Sequence, residues 1–270
     1  MDKSFNGKAI YNPKGKAGEY SQWACNFYTG CSNDCEYCYC KKGFMGRIWS
    51  NKPQLKKCFN DEKHALEVFT REIDANIEDL KSSGIFFTFT SDPMLPETIK
   101  LTVDAIGKAL ERDIPVQILT KRADFTDQPF MDALKLRSNM VAWGFTLTGH
   151  DELEPGASSN FERIQAMKQL HCMGFKTFAS IEPIIDFPSA FSMLNLTRGF
   201  CDLYKLGLMS GKKYNHKERN EAQFLYDFLC GDTTRKFYIK DSLLKLLFDD
   251  RSTFPKHFVD KEYNIFSDIE

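Results

Sequence analysis

Thr29-Gly30-Cys31-Ser32-Asn33-Asp34-Cys35-Glu36-Tyr37-Cys38-Tyr39-Cys40 is the stretch from which the rest of the chain is read. Cys31 and Cys35 enclose three residues, and Cys35 and Cys38 enclose two, so three thiolates on one irregular loop are able to converge on a metal centre. Soft thiolates select zinc, copper(I) or iron-sulfur clusters. A cubane of four irons held by three cysteines keeps a position at its fourth iron for a small molecule. Zinc is the competing occupant, with Cys40 or Cys25 as a fourth ligand, although structural zinc sites usually come as two separated knuckles and no second knuckle follows. A disulfide scaffold fits less well: nine cysteines are an odd number, the N-terminus has no apolar leader, and 270 residues need no covalent staples.

Composition supports a globular chain in a reducing compartment. With 42% hydrophobic and 27% charged residues, and no apolar run near the length of a membrane span, neither a transmembrane segment nor a disordered tract is expected. The absence of a leader and the thiol content lead to an expected cytoplasmic location. The formal charge of −1 gives no global attraction for a polyanion. Two local runs stand out, Lys41, Lys42, Arg47, Lys52, Lys56 and Lys57 after the cysteines and Lys212, Lys213, His216, Lys217 and Arg219 later; each is either a phosphate grip at a site or a solvated face.

Outward from the cysteines the pattern alternates. Residues 1–20 read as a polar N-terminal arm. Trp23–Tyr28 is the first strand, and a helix follows over Lys63–Ser82, with Ala65, Leu66, Phe69, Ile73 and Ile77 on one face. Ile85–Thr90, Pro115–Thr120, Met140–Thr148, Phe175–Ile181 and Cys201–Leu208 are further strands. Between them lie helices near Glu97–Leu110, Gln128–Leu136, Ser159–Met173 (core face Phe161, Ile164, Met167, Leu170), Phe187–Leu196 and Glu218–Leu229. Six strand-helix units argue for a parallel sheet with helical crossovers, an α/β fold whose ligand site lies at the C-terminal strand ends. Residues 21–230 form this core, and 231–270 read as a C-terminal extension with a helix over Lys240–Phe248.

Cys31-x3-Cys35-x2-Cys38, with Tyr37 just before the third cysteine, resembles the signature of the radical S-adenosylmethionine (SAM) enzymes. The resemblance implies a partial (β/α)6 barrel with a C-terminal helical extension. It also implies a 4Fe-4S cluster on Cys31, Cys35 and Cys38 whose unique iron is chelated by the amino and carboxylate groups of SAM. Reductive cleavage of SAM would then give a 5'-deoxyadenosyl radical that takes a hydrogen from substrate. Shorter segments, Ser91-Asp92-Pro93 with Glu97, Thr120-Lys121, Glu154-Pro155 followed by Arg163, and Ile181-Glu182-Pro183-Ile184, are similar to the subgroup of spore photoproduct lyase and DNA-repair-photolyase-like proteins. That likeness implies DNA or a nucleotide as substrate; a peptide or small metabolite is the alternative. With no second cluster motif, the electron is expected from a flavodoxin or ferredoxin type reductant, and no membrane partner is expected.

On this reading the backbone beside Tyr37 meets the adenine. Ser91 and Asp92 stand where family members bind the SAM ammonium; capping of the next helix is the equal alternative for Asp92. Lys121 pairs with the SAM carboxylate or a substrate phosphate, and Thr146 and Thr148 meet the ribose. Glu182 closes the fifth strand as a functional carboxylate. Cys40, two residues past the last ligand, is the candidate catalytic thiol, as a spare ligand or redox group. Cys58, Cys172, Cys201 and Cys230 are expected to be buried, inert thiols.

Overall fold

A computed structural model describes residues 4–43, 45–247 and 250–267. Its main sheet has the order β1-β2-β5-β6-β7-β8-β9-β10: Ile10–Tyr11 (β1), Ala24–Cys25 (β2), Ile85–Phe87 (β5), Val116–Thr120 (β6), Val141–Thr146 (β7), Lys176–Ile184 (β8), Leu203–Leu208 (β9) and Lys236–Ile239 (β10). Every pairing from β2 to β10 is parallel, and only β1 runs antiparallel. Tyr28–Thr29 (β3) and Gln54–Leu55 (β4) form a separate two-stranded ribbon. The crossovers are helical: Glu62–Ala75 (α1), Ile77–Ser83 (α2), Ile99–Leu110 (α3), Phe130–Lys135 (α4), Asn160–Cys172 (α5), Phe187–Thr197 (α6) and His216–Cys230 (α7), with Asp241–Leu247 (α8) after the last strand. β7 and β9 are buried at every position, as expected for parallel strands covered on both faces.

The expected α/β core is present, with differences that have local causes. The first strand is split, because only Ala24 and Cys25 join the main sheet while Tyr28 and Thr29 turn into the ribbon that carries the cysteine loop. The expected long helix breaks at Asn76, whose side-chain amide donates to the Glu72 carbonyl at 2.8 Å and competes with the helical ladder. α5 starts as read: Ser159 and Glu162 form a reciprocal capping box. Phe161, however, is 69% exposed, because Asn160 and Arg163 take the inward positions of the first turn.

The two ends of the chain belong to the fold more than their polarity suggests. Glu72 on α1 accepts from the amides of Lys8, Ala9 and Ile10 at 2.7, 2.9 and 2.8 Å, pinning the arm as strand β1. The tail opens with a seventh parallel strand, β10, before helix α8. Its outer edge is covered by residues 257–259, since the Phe237 amide donates to the His257 carbonyl and the Val259 amide to the Phe237 carbonyl. Phe248, the expected end of the terminal helix, lies outside the described residues. Cys201 is buried as expected, but Cys172 is exposed and Cys58 and Cys230 are partly so.

Candidate active site

The cysteine loop follows β3 and is shaped by two close backbone approaches. Gly30 sits at φ +88°, where a Cβ would lie 2.6 Å from the carbonyl oxygens of both Ser50 and Lys52, and the Cys31 amide then donates to Ser50 at 3.0 Å. On the other side the loop lies on residues 153–156, with Glu36 N bonded to Leu153 O at 2.9 Å and Gly156 N to Asn33 O at 3.1 Å. A side chain at Gly156 would run into the Ser32 carbonyl, 2.0 Å from its Cβ. Within the loop the Cys38 amide donates to Cys35 O and the Lys41 amide to Cys38 O, each at 3.2 Å.

Cys31, Cys35, Cys38 and Cys40 all line one cavity of about 400 Å³. The C-terminal ends of the parallel strands complete it: Thr88 to Asp92 after β5, Thr120 and Lys121 at the end of β6, Thr146 from β7, Ser180 and Glu182 on β8, Leu208 to Ser210 at the end of β9, and Lys240 after β10. Ligand sites of parallel α/β folds occupy this end. Lys16, Tyr20, Tyr39, Trp49 and Phe89 close the sides.

The thiols are not equivalent. Burial pushes Cys31 up to about 12 and also raises Cys35. Cys38 is lowered to about 6, first by its hydrogen bond with Cys40, whose own thiol is raised by the same bond. Iron or any soft metal at this wall must therefore displace protons from Cys31 and Cys35. No three His, Cys, Asp or Glu side chains among the described residues are grouped to hold a single ion. Thiolates of a cluster need not be, because each takes a different iron.

Asp92 lines the cavity but does not cap the next helix, whose N-cap is Thr98. Its carboxylate accepts from Asn33 Nδ2 at 2.7 Å, Met94 N at 2.9 Å, Thr120 Oγ1 at 2.6 Å and Lys121 N at 2.7 Å, while helix α3 begins only at Ile99. It is a buried brace that ties the cysteine loop to the end of β6. Glu154 is the second brace: it takes the Tyr37 hydroxyl and the fully buried Arg163, and Arg163 Nη1 also donates to the Thr146 carbonyl at 2.5 Å. These bonds orient the Tyr37 ring against the cavity.

Besides the indole N–H of Trp49 at the side of the cavity, three polar groups on this wall are left without hydrogen-bond partners among the described residues. Ser91 Oγ and Asn33 Oδ1 are buried acceptors with no donor. The Lys121 ammonium has no ion pair or hydrogen bond among the described residues and faces only the Tyr37 ring, 5.5 Å from its centroid. Burial works against its charge, but Cys35, Glu154 and Asp92 outweigh that effect and hold its pKa above the ordinary lysine value. Leaving buried acceptors unpaired costs about 1–3 kcal/mol each, which marks a place where a ligand supplies the missing partners.

Two expected site residues are placed differently. Thr148 is off the cavity: its hydroxyl accepts from His150 N at 3.2 Å and its amide donates to Asn160 at 3.0 Å, so it shapes the turn after β7. Glu182 does line the cavity, but on the side of the arm and tail, where its carboxylate accepts from Lys240 Nζ at 2.6 Å and from the Tyr20 hydroxyl at 2.8 Å. Asn33, Tyr20, Trp49 and Lys240 are cavity residues that the sequence did not single out. Asn33 was open to discovery by its place between two cysteines, whereas Tyr20 and Lys240 reach the site only through the tertiary fold.

Comparison with known proteins agrees with this architecture. An uncharacterized protein of Methanocaldococcus jannaschii is 27% identical over 237 residues, covering 82% of this chain and 84% of that protein. A spore photoproduct lyase mutant with bound AdoMet and dinucleoside spore photoproduct superposes with a TM-score of 0.53 at 17% identity, covering 77% of this chain and 61% of that one. Streptococcus suis SuiB bound to S-adenosylmethionine superposes at 0.55 and 13% identity, covering 81% of this chain and 51% of that one. The chain thus spans about three fifths and about half of the two solved proteins. The model of the radical SAM superfamily matches residues 25–185, more than half of the sequence and the span from the end of β2 through β8, so the chain belongs to the radical SAM superfamily.

Proposed function

We propose that this protein is a radical SAM enzyme that cleaves SAM reductively at a 4Fe-4S cluster held by Cys31, Cys35 and Cys38. The observation that carries this reading is the unsatisfied wall beside the thiols. An α-amino acid end group presents an ammonium and a carboxylate together; Ser91 Oγ and Asn33 Oδ1 supply the acceptors for the first, and Lys121 supplies the cation for the second. When bound, the cluster supplies one electron to the sulfonium, which releases methionine and a 5'-deoxyadenosyl radical. Tyr37, held by Glu154, and Thr146, held through its carbonyl by Arg163, form the side of the cavity available to the nucleoside. The hydrogen bond from Cys40 lowers the Cys38 thiol, which eases its deprotonation for a metal.

The substrate we propose is a nucleotide or nucleic acid. Tyr20, Tyr39, Trp49 and Phe89 give the cavity planar surfaces on which a base stacks. The spore photoproduct lyase structure, with its dinucleoside ligand, has the same fold. A small neutral metabolite is the second reading, favoured by the engagement of the far-side cations: Lys240 with Glu182, and Lys16 with Ser210 Oγ at 2.9 Å.

The test is anaerobic reconstitution followed by incubation with dithionite and SAM, with 5'-deoxyadenosine read by chromatography. Formation in the wild type and its loss in Cys35→Ala supports the reading; no product from a protein carrying about four irons refutes it. Binding to single-stranded oligonucleotide that weakens steeply with salt supports the nucleic-acid substrate, and binding indifferent to salt favours the metabolite.

A further inference from the structure

Of the six basic residues in the run that follows the cysteines, Lys41 is the one with an ion pair among the described residues. Its ammonium holds both ends of Asp34, the carboxylate at 2.6 Å and the backbone carbonyl at 3.0 Å. Asp34 stands between Cys31 and Cys35, lines the cavity, and adopts φ +49°, a left-handed conformation that a residue other than glycine keeps only with support from its surroundings. Lys41 comes from the other end of the same loop, where its amide donates to the Cys38 carbonyl at 3.2 Å. The pair therefore closes the loop into a ring that contains Cys35 and Cys38, and the Trp49 ring, its centroid 4.8 Å from the ammonium, backs it. With side chains 26% and 45% exposed, such a pair adds little to global stability. Its larger effect is electrostatic, because it cancels a negative charge in the loop that carries the three thiols.

We propose that Lys41 is a positioning residue for the cluster: it fixes Asp34 in the turn that presents Cys35, and by neutralising that carboxylate it makes one-electron reduction of the cluster easier. The inference rests on the reading that Cys31, Cys35 and Cys38 hold a 4Fe-4S cluster. A centre on three thiolates becomes more negative when it takes an electron, so a negative charge beside it disfavours reduction and a positive one favours it. Asp34 alone would hold the cluster in its oxidised form; the Lys41 ammonium removes that penalty without leaving the loop. In the step concerned one electron passes from a reductant such as dithionite, which is oxidised, to the cluster, and no bond in the protein forms or breaks.

The measurement is the midpoint potential of the anaerobically reconstituted protein, from a dithionite titration followed by electron paramagnetic resonance without SAM at about 50 mM salt, where screening is weak. Lys41→Met should lower the potential and Asp34→Asn raise it. Each shift is expected to be about tenfold in the ratio of reduced to oxidised cluster at a fixed potential, or about 59 mV for one electron. The double change Lys41→Met with Asp34→Asn returns close to the wild type, and Lys41→Arg, which keeps the charge, stays there. A merely loosened loop moves both single variants the same way and is not repaired by the double change; that result, or equal potentials in all the variants, overturns the proposal. Where Lys41→Met loads too little iron to titrate, Asp34→Asn carries the test, and a potential equal to or below that of the wild type overturns the proposal. A wild type that holds about four irons yet makes no 5'-deoxyadenosine counts against the proposed reaction alone, because the potentials are read without turnover. A wild type that takes up zinc and no iron overturns both.

Discussion

The two sides of the cavity are built on opposite terms. On the cysteine side Ser91 Oγ, Asn33 Oδ1 and the Lys121 ammonium have no partners. On the far side every charge is engaged. Lys240 Nζ donates to Glu182 and to the Lys16 carbonyl at 3.0 Å, Lys205 Nζ donates to the Tyr20 carbonyl at 2.7 Å, and Glu19 accepts from the Tyr238 hydroxyl and the Asp241 amide at 3.1 and 2.7 Å. Burial, followed by the charge of Lys240, lowers Lys205 to about 7. The far side fastens the N-terminal arm to the tail strand β10 across the sheet. The difference teaches which wall serves stability and which is kept incomplete for a ligand: satisfied buried charges hold a structure, and unsatisfied ones await a partner.

The sharpest break of this contrast is at the thiols. Replacing Cys35 with Ala is expected to abolish iron retention and SAM cleavage, while the melting temperature of the metal-free protein moves by only a few degrees. Iron analysis and calorimetry on the same sample check it. The far side should behave in reverse. Lys240→Met leaves the half-buried Glu182 with only the Tyr20 hydroxyl as partner, costing about 2–4 kcal/mol, which lowers the melting temperature by roughly 10 °C. The double change Glu182→Gln with Lys240→Met should recover only part of the loss: the carboxylate bonded to the missing ammonium is gone, but buried Glu19, 3.6 Å from Lys240 Nζ, still loses its ion-pair partner.

Lys121 sharpens the comparison from the open side. Lys121→Met removes an unpaired buried ammonium, so stability should hold or rise slightly, while the dissociation constant for SAM rises about tenfold or more, the value of one charge-assisted contact. Equilibrium dialysis with labelled SAM on reconstituted protein decides it.

The smallest effect is expected at a polar pair outside both walls. His150 Nε2 lies 2.5 Å from Asp186 Oδ2, the cap of α6, and Nδ1 lies 2.7 Å from Glu152. Burial pulls the His150 pKa down, but the two carboxylates outweigh it and hold it above the usual histidine value. A raised folded-state pKa contributes stability that is fully present below the unfolded value near 6.5 and is lost as pH rises through the folded one. Between pH 6 and 8 the wild type should therefore lose up to about 1 kcal/mol relative to His150→Gln. Urea unfolding of both at several pH values measures the slope, and parallel curves would contradict it.

What the sequence disclosed follows the range of the forces involved. Local signals were legible: the cysteine spacing, the Ser159 capping box, and the strand-helix alternation from β5 to α7. Asn76 shows the limit of periodicity, since a run of helical spacing does not reveal a side chain that takes the backbone's own acceptor. The seventh strand, Lys236–Ile239, is too short to stand out beside the helix that follows it, and its parallel pairing with β9 is settled by tertiary contact. Asp92 and Glu182 stand out in the sequence by position, but their partners come from far along the chain. Thr120 is 28 residues from Asp92 and Lys240 is 58 from Glu182. No local pattern separates a carboxylate that meets a ligand from one that braces two strands.

Electron paramagnetic resonance of the anaerobically reconstituted, dithionite-reduced protein, recorded with and without SAM, tests the central claim most directly. The expected result is the signal of a reduced cluster that changes shape when SAM is added, and loss of that change in Lys121→Met at SAM concentrations that saturate the wild type. A cluster signal indifferent to SAM, or a protein that takes up zinc and no iron, would contradict it.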